Sequence, residues 1–326
     1  MNKAKYKNLI LTIFLVIFII LILSSLFYNI NLNKIFETNS VENKIFFQIR
    51  IPRLLTSFFI GAGLSVVGCI LQSLFLNPLC EGYTLGISSS AALGVVLVSL
   101  LNIPLNRFFG SLLGIFTSTV AIYFLILNFK KTIDISFILA GIVLNFFFQS
   151  IIILLTIFFD PYKLHYVLLW LLGSFSSLPK DYVYPVCFLI LLSMIFILFY
   201  SEKLDIIVLG KEKSPSLGVN ENRVKNHLIF LAVIISALSV SLVGVISFIG
   251  IFVPNFVKTF VGLKHKNWIL NSAIIGGIFV SLCDILAKNL FYPIEIPISV
   301  FSGLIGSIFF IFYLLNGKTF YGNFKS

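Results

Sequence analysis

The sequence predicts an all-α polytopic membrane protein with about ten transmembrane helices. Hydrophobic residues make up 59% of the 326 residues and charged residues only 11%, whereas a soluble domain carries about 25% charged residues. The apolar runs are long and show no alternation of polar and apolar residues. Only helices and closed barrels satisfy their backbone groups in lipid, and barrel strands alternate. The apolar runs are therefore expected to be helices.

Ten runs approach the length of about 20 apolar residues that a helix needs to cross a bilayer. The first run follows a basic start like that of a signal peptide, but it has no A-x-A cleavage site, so we expect a retained span. Gly, Ser and Pro interrupt the pairs 54–102 and 228–263, and nine spans are the alternative. GLSVVG (63–68) resembles LSVSLVG (238–244), as in an inverted repeat. The predicted spans are 8–28, 54–76, 85–102, 108–128, 135–158, 182–200, 228–245, 247–263, 268–288 and 297–315.

The distribution of basic residues predicts the orientation. Ten spans place both termini on one side of the membrane, and that side carries 14 basic residues against 8 on the other. Cytoplasmic loops carry the excess of Lys and Arg, so both termini are expected in the cytoplasm. The net charge of +11 is explained by orientation in a lipid bilayer, and no nucleic-acid partner is expected.

One connection is long, hydrophilic and, in this orientation, cytoplasmic. Residues 201–227, SEKLDIIVLGKEKSPSLGVNENRVKNH, can hold two short helices around a Ser-Pro-Ser turn. The segment is either a solvated loop or a docking site for a cytoplasmic partner. It lies within a single transmembrane domain that we expect to include residues 1–326.

The sequence lacks the side-chain patterns of an enzyme or a metal site. It contains no HExxH motif, no Cys/His cluster and no CxxC pair, so no catalytic residue, metal or cofactor is expected. A GxxxxGK[ST] motif is also absent, and a nucleotidase would have to be a separate chain. The three histidines, which we expect in water-facing loops, are His165, His227 and His265.

The carboxylates do not predict ion coupling. A charge at membrane depth is costly and therefore tends to be functional. Asp284 and Glu295 are expected near the outer ends of the last two spans, and Glu81 in a loop. None is placed at the bilayer centre, which argues against an ion-coupled secondary transporter.

Six ordered blocks that cover most of the chain after Arg50 resemble one transporter family. The first runs RIPRLLTSFFIGAGLSVVGCILQSLFLNPLCEGYTLGISSSAALG from Arg50. It is similar to the permease subunits of iron-siderophore, haem and cobalamin ABC importers, which are type II importers. The other blocks are ILAGIVLNFFFQS (138–150), WLLGSFSSL (170–178), LGKEKSPSLGVN (209–220), VGVISFIGIFVPNFVKTFVG (243–262) and EIPISVFSGLIGSIFFIFYLL (295–315).

The resemblance implies a permease of the bacterial cytoplasmic (inner) membrane. Such a permease receives a ferric siderophore or a similar bulky metal chelate from an extracytoplasmic substrate-binding protein; haem and cobalamin are alternative cargoes. Its partners are two cytoplasmic ABC ATPase subunits and a second permease subunit, identical or different. Some residues differ from the family pattern and leave the cargo open: Gly82, Ser90, Val245, Asn255, Lys258 and Ile308.

The resemblance also implies a docking site on the long cytoplasmic connection. In the family the ATPase docks between the sixth and seventh spans, which correspond here to the connection 201–227. The matching positions are Leu209, Gly210, Leu217 and Gly218.

On the outer surface, Arg50, Arg53 and Lys288 match basic residues that pair with acidic residues of the binding protein. Anchoring of helix ends at lipid headgroups is the alternative. Asn145 and Gln149, one helical turn apart in the fifth span, match the helix that lines the translocation pathway. A hydrogen bond between packed helices explains this pair equally well.

Overall fold

The computed structural model describes residues 34–37, 40–101, 103, 106–128, 133–158, 169–176, 178–210, 213–262 and 264–315. Within these ranges the chain forms twelve α-helices. A π-helical turn at Phe46–Arg50 joins the first two, and a 3-10 turn at Gly82–Leu85 precedes the third. The helices are α1 (Val41–Ile45), α2 (Ile51–Phe75), α3 (Ile87–Leu100), α4 (Arg107–Asn128), α5 (Ile133–Thr156), α6 (Lys180–Phe199), α7 (Ser201–Ile207), α8 (Lys213–Ser216), α9 (Glu221–Val243), α10 (Ile249–Val261), α11 (His265–Asn289) and α12 (Ile298–Leu315).

The predicted spans agree with these helices. Each span from 54–76 onward coincides with a helix, while the predicted span 8–28 lies outside the described residues. By length and composition, five described helical segments could cross a membrane, and four shorter apolar helices accompany them. The five are Val41–Phe75, Leu139–Thr156, Lys180–Phe199, Glu221–Val243 and His265–Asn289.

Two helices begin earlier than hydropathy predicts. α2 continues back through Pro52 in its first turn to the π-helical turn, so Arg50 and Arg53 are helical rather than in a loop. α9 begins at Glu221 because the Asn220 side chain accepts a hydrogen bond from the Arg223 backbone N–H. Hydropathy does not detect a polar first turn of a helix, even where a side-chain N-cap stabilises that turn.

α2 is the central helix of the bundle. Its residues from Ile60 to Leu74 are all buried, and it packs against α6, α9, α10 and α11. Because α2 is covered on every side over this length, its small residues allow the neighbouring helices to pack closely against it.

α2 and α11 pack antiparallel along nearly their full length. Ser57 and Ser281 are hydrogen-bonded across the pair with 3.1 Å between their Oγ atoms. A Cβ added at Gly61 would collide with the Gly276 carbonyl, and one added at Gly276 would collide with the Ser65 hydroxyl. Small residues thus bring the two backbones together, as is common between helices in membranes.

A second group of helices stands beside this pair. α3 packs against α4 through Gly94 and Gly114, where an added Cβ would collide with the partner backbone. α5 contacts both α3 and α4, and it buries Leu144 and Phe148. Its remaining face is largely exposed in this single chain.

Candidate functional site

A buried ion-pair cluster lies at one end of the α2–α11 pair. Arg53 of α2 binds the Asp284 carboxylate of α11 through Nε and Nη2, at 2.9 and 2.8 Å for the shortest contacts. Arg53 also binds Glu295, at 3.1 Å from Nη1. The side chains of Arg53 and Asp284 are only 12% and 9% exposed. We call Arg53, Asp284 and Glu295 the Arg53 cluster.

The other two predicted docking residues lie beside this cluster. Arg50 and Lys288 line a cleft together with Arg53, Asp284 and Ser57. The structure thus brings all three predicted basic residues together. It also shows that Arg53 bonds to carboxylates of its own chain.

A second polar cluster lies at the opposite end of the α2–α11 pair. Asp205 of α7 accepts hydrogen bonds from the His265 backbone N–H at 3.0 Å and pairs with its Nδ1 at 2.5 Å. The other ring nitrogen, Nε2, lies 2.9 Å from the Ser73 hydroxyl near the end of α2. We call Ser73, Asp205 and His265 the His265 cluster.

The predicted location of His265 in a water-facing loop is wrong. The side chain is 7% exposed, whereas Asp205 is 40% exposed. The flanking Lys264 and Lys266 make the sequence around position 265 look like a loop. His265 is instead the first residue of α11, and the imidazole ring turns inward between Asp205 and Ser73.

Aromatic packing fixes the surroundings of the imidazole. The rings of His265 and Trp268 lie 5.6 Å apart between centroids. The Trp268 indole N–H donates to the Pro254 carbonyl of α10 at 2.8 Å, and the Lys258 ammonium lies 4.9 Å from the Trp268 ring centroid. The His265 cluster is therefore in packing contact with α2, α7, α10 and α11.

Residues 201–220, which we call the interhelical segment, contain the two short helices expected there. The turn between α7 and α8 includes Gly210, and Gly218 follows α8; both have positive φ, at 107° and 75°. Ser-Pro-Ser lies within α8 rather than forming the turn. Leu209 and Leu217 are 56% and 55% exposed, so the segment presents apolar side chains away from the bundle.

Beyond α2, the chain turns back into the bundle. Leu76 ends the helix with a φ of 49°, and the Pro78 carbonyl accepts a hydrogen bond from Asn255 of α10 at 2.9 Å. Tyr83 accepts a hydrogen bond at its hydroxyl from the Ile246 backbone N–H at 2.7 Å. Residues 76–86 are thereby tied to the link before α10 and to α10 itself.

Glu81, which the sequence placed in a loop without assigning it a role, is buried. Its carboxylate accepts hydrogen bonds from the backbone N–H groups of Gly250 and Ile251, in the first turn of α10. A carboxylate at a helix N-terminus compensates both the free N–H groups and the helix dipole. The expectation that Glu81 lies in a loop is confirmed, but that loop is folded into the bundle.

The two residues predicted to line the pathway, Asn145 and Gln149, have different surroundings in the structure. Asn145 accepts a hydrogen bond from the Ser89 hydroxyl at 2.5 Å and donates to the Tyr83 carbonyl at 2.9 Å. Gln149, one turn later, is exposed. Asn145 therefore connects α5 to residues 83–89, and Gln149 is the member of the pair that is available to a pathway.

Known proteins resemble this chain in sequence and in fold. The profile of the FecCD transport family matches residues 13–316. The chain is 32% identical over 289 residues to the hemin transport system permease protein HmuU of Yersinia pestis, and the match covers 86% of each chain. It is 30% identical to the iron(3+)-hydroxamate import system permease protein FhuG of Bacillus subtilis, over 85% of each chain.

Cargoes differ among such relatives. The molybdate import system permease protein MolB of Haemophilus influenzae is 32% identical, with 84% of this chain and 82% of that protein covered. The substrate in the name of that protein, molybdate, is an oxyanion rather than an iron chelate.

A solved structure gives the same fold. It is described as an inward-facing conformation of a metal-chelate type ABC transporter, and it superposes with a TM-score of 0.83 at 28% identity. The match covers 94% of this chain and 97% of that chain. Sequence and structure agree over nearly the whole length, and the chain belongs to the FecCD transport family.

Proposed function

We propose that this chain is the permease subunit of an ABC importer that carries a ferric siderophore or a similar bulky metal chelate. The observation that carries the proposal is the match to the FecCD transport family over residues 13–316. Relatives named for hemin, iron(3+)-hydroxamate and iron(3+) dicitrate support a metal-chelate cargo. Haem is the alternative cargo within the same mechanism.

The interhelical segment is the proposed dock for an ATPase subunit. Exposed apolar side chains such as Leu209 and Leu217 are suited to a protein partner, because a partner removes them from water. An added Cβ at Gly210 or Gly218 would meet no atom within 4 Å. The surface around both turns is therefore open.

The Arg53 end is the proposed outer surface for the binding protein. Arg50 and Lys288 are the proposed contact residues, since they line the cleft. Arg53 has a supporting role because it holds Asp284 and Glu295 in place. Exposed ion pairs are worth under about 1 kcal/mol each, so they favour orientation and association rate over affinity.

The chain is proposed to lie in the bacterial inner membrane with the His265 end in the cytoplasm. This orientation follows the excess of basic residues on the side of residues 201–227. A second permease subunit would complete the pathway, and the exposed face of α5, with Gln149, is available for that purpose.

Docking can be tested by placing one charge on the interhelical segment. Leu217→Asp is expected to reduce co-purification of the ATPase subunit with the tagged full-length chain by about tenfold or more, because loss of an interface hot spot costs about 2 kcal/mol and tenfold corresponds to about 1.4 kcal/mol. The measurement is the ATPase-to-permease ratio after affinity purification in mild detergent.

Leu290→Asp is the matched control. Leu290 is 57% exposed, against 55% for Leu217, and it follows α11 at the opposite end of the bundle. The control should keep the ATPase bound. Equal ATPase retention by both variants would contradict docking on the interhelical segment.

A further inference from the structure

A chain of polar contacts links the interhelical segment to α11 and α2, beside the apolar packing of Leu204 and Ile207 in the core. It runs from the Asp205 carboxylate, through both ring nitrogens of His265, to the Ser73 hydroxyl. Ser73 also donates to the Cys69 carbonyl at 2.7 Å, so the contact reaches the α2 backbone. Hydrogen bonds to a charged group are shorter and about twice as strong as neutral ones.

The imidazole is well placed to transmit movement. Both of its nitrogens are bonded, and Trp268 packs beside it, so the ring has little freedom to turn. A displacement of α7 must therefore either pull His265 along or break the bond to Asp205. The second outcome leaves a nearly buried imidazole without its charged partner, which is costly.

A hydrolytic role fits these atoms less well, although Ser73, His265 and Asp205 lie in the order of a Ser-His-Asp triad. Ser73 is a buried residue, 5% exposed, and its hydroxyl donates to a carbonyl of its own helix. A nucleophile must reach its substrate. The arrangement therefore favours a mechanical role over a chemical one.

Movement of Ser73 can be transmitted to α10. Two residues after Ser73, α2 ends at Phe75, and the chain enters residues 76–86. Those residues bind α10 through Pro78 and Glu81, and they bind the link before α10 through Tyr83. A shift of the α2 terminus thus reaches the first turn of α10, which lies inside the bundle.

We propose that Asp205, His265 and Ser73 are positioning residues that couple the interhelical segment to α2 and, through residues 76–86, to α10. This inference rests on the proposed function, since it requires an ATPase that moves the segment. In that mechanism, nucleotide binding displaces α7, and the His265 cluster converts the displacement into movement of helices inside the membrane.

The test compares two peptides in one complex. The full-length permease is prepared in lipid nanodiscs with its ATPase subunit, and deuterium uptake is measured with and without ATP plus vanadate. In the unmodified complex, uptake is expected to change in residues 201–220 and in residues 77–86. In Asp205→Asn, the change at 201–220 should persist while the change at 77–86 falls by about fivefold or more, the effect of losing one charge-assisted bond.

Ser73→Ala should give the same result. It serves as a second test of the coupling if Asp205→Asn folds poorly. Ser65→Ala is its matched control, because Ser65 lies on the same helix and bonds to the carbonyl four residues earlier, as Ser73 does. Ser65→Ala should leave both responses unchanged.

The outcomes separate the two proposals. Failure of any ATPase subunit to bind the unmodified permease would overturn the proposed function. A bound ATPase with no response at 77–86 in the unmodified complex would overturn the coupling alone. Responses at 77–86 that survive both Asp205→Asn and Ser73→Ala would overturn it as well.

Discussion

Arg53 contributes to the molecule differently from Lys288, although both are basic and line the same cleft. Arg53 has two carboxylate partners within the chain, and its side chain is nearly buried. Removing one member of a buried ion pair leaves the other charge uncompensated, whereas removing a charge on a rim has little effect on folding. The two kinds of basic residue can therefore be told apart by experiment.

Arg53→Ala is expected to lower the free energy of unfolding by about 3 kcal/mol, because Asp284 is left buried without its partner. The described cysteines Cys69, Cys80, Cys187 and Cys283 are buried. Unfolding can therefore be followed in detergent with a dye that fluoresces on reaction with thiols.

Lys288→Ala is the comparison variant, and we expect a change within about 0.5 kcal/mol. Lys288→Glu should instead slow association with the binding protein while leaving the melting temperature unchanged. Equal stability of Arg53→Ala and Lys288→Ala would show that the Arg53 cluster does not support the fold.

At the scale of elements, the antiparallel α2–α11 pair connects the two polar clusters. Arg53 and Ser73 are 20 positions apart on α2, which at a rise of about 1.5 Å per residue corresponds to about 30 Å. That length matches the hydrocarbon thickness of a bilayer, about 30 Å. The pair is therefore long enough to place one polar cluster at each surface of a bilayer, with Gly61, Ser65 and Gly276 closing the contact between the two helices.

Gly276→Ala should destabilise the pair by about 1 to 3 kcal/mol, since overpacking a tight contact forces backbones apart. Its Cβ would meet the Ser65 hydroxyl and the Gly61 carbonyl. Thermal unfolding followed with the thiol-reactive dye measures the effect.

Gly303→Ala in α12 is the control, because its Cβ would meet no atom within 4 Å. It should leave the single chain as stable as before or slightly more so. A Gly276→Ala variant as stable as Gly303→Ala would contradict close packing of α2 on α11.

At the scale of the whole molecule, the helices could be predicted and their pairing could not. A bilayer demands long apolar runs, so each span from 54–76 to 297–315 was visible in the sequence. Arg53 and Asp284 are 231 positions apart, and hydropathy carries no information about which helices touch. The same limit hid the contacts of His265 with Ser73 and Asp205.

The two residues predicted to line the pathway show a second limit of the sequence. Helical spacing places Asn145 and Gln149 on one face of α5, and both residues lie in that helix in the structure. Asn145 nevertheless bonds to Ser89 and Tyr83, because residues 83–89 return beside α5. A pattern within one helix could not reveal which neighbour would satisfy its amide.

Uptake of a metal chelate into lipid vesicles tests ATP-driven import by this permease. Vesicles that contain the permease and its ATPase subunit enclose ATP, with the binding protein and iron-labelled ferric hydroxamate, ferric citrate or haemin outside. We expect uptake of at least one chelate that requires ATP and persists when an ionophore removes the proton gradient. Uptake of none of the three, or uptake that continues without ATP and collapses with the proton gradient, would contradict the account.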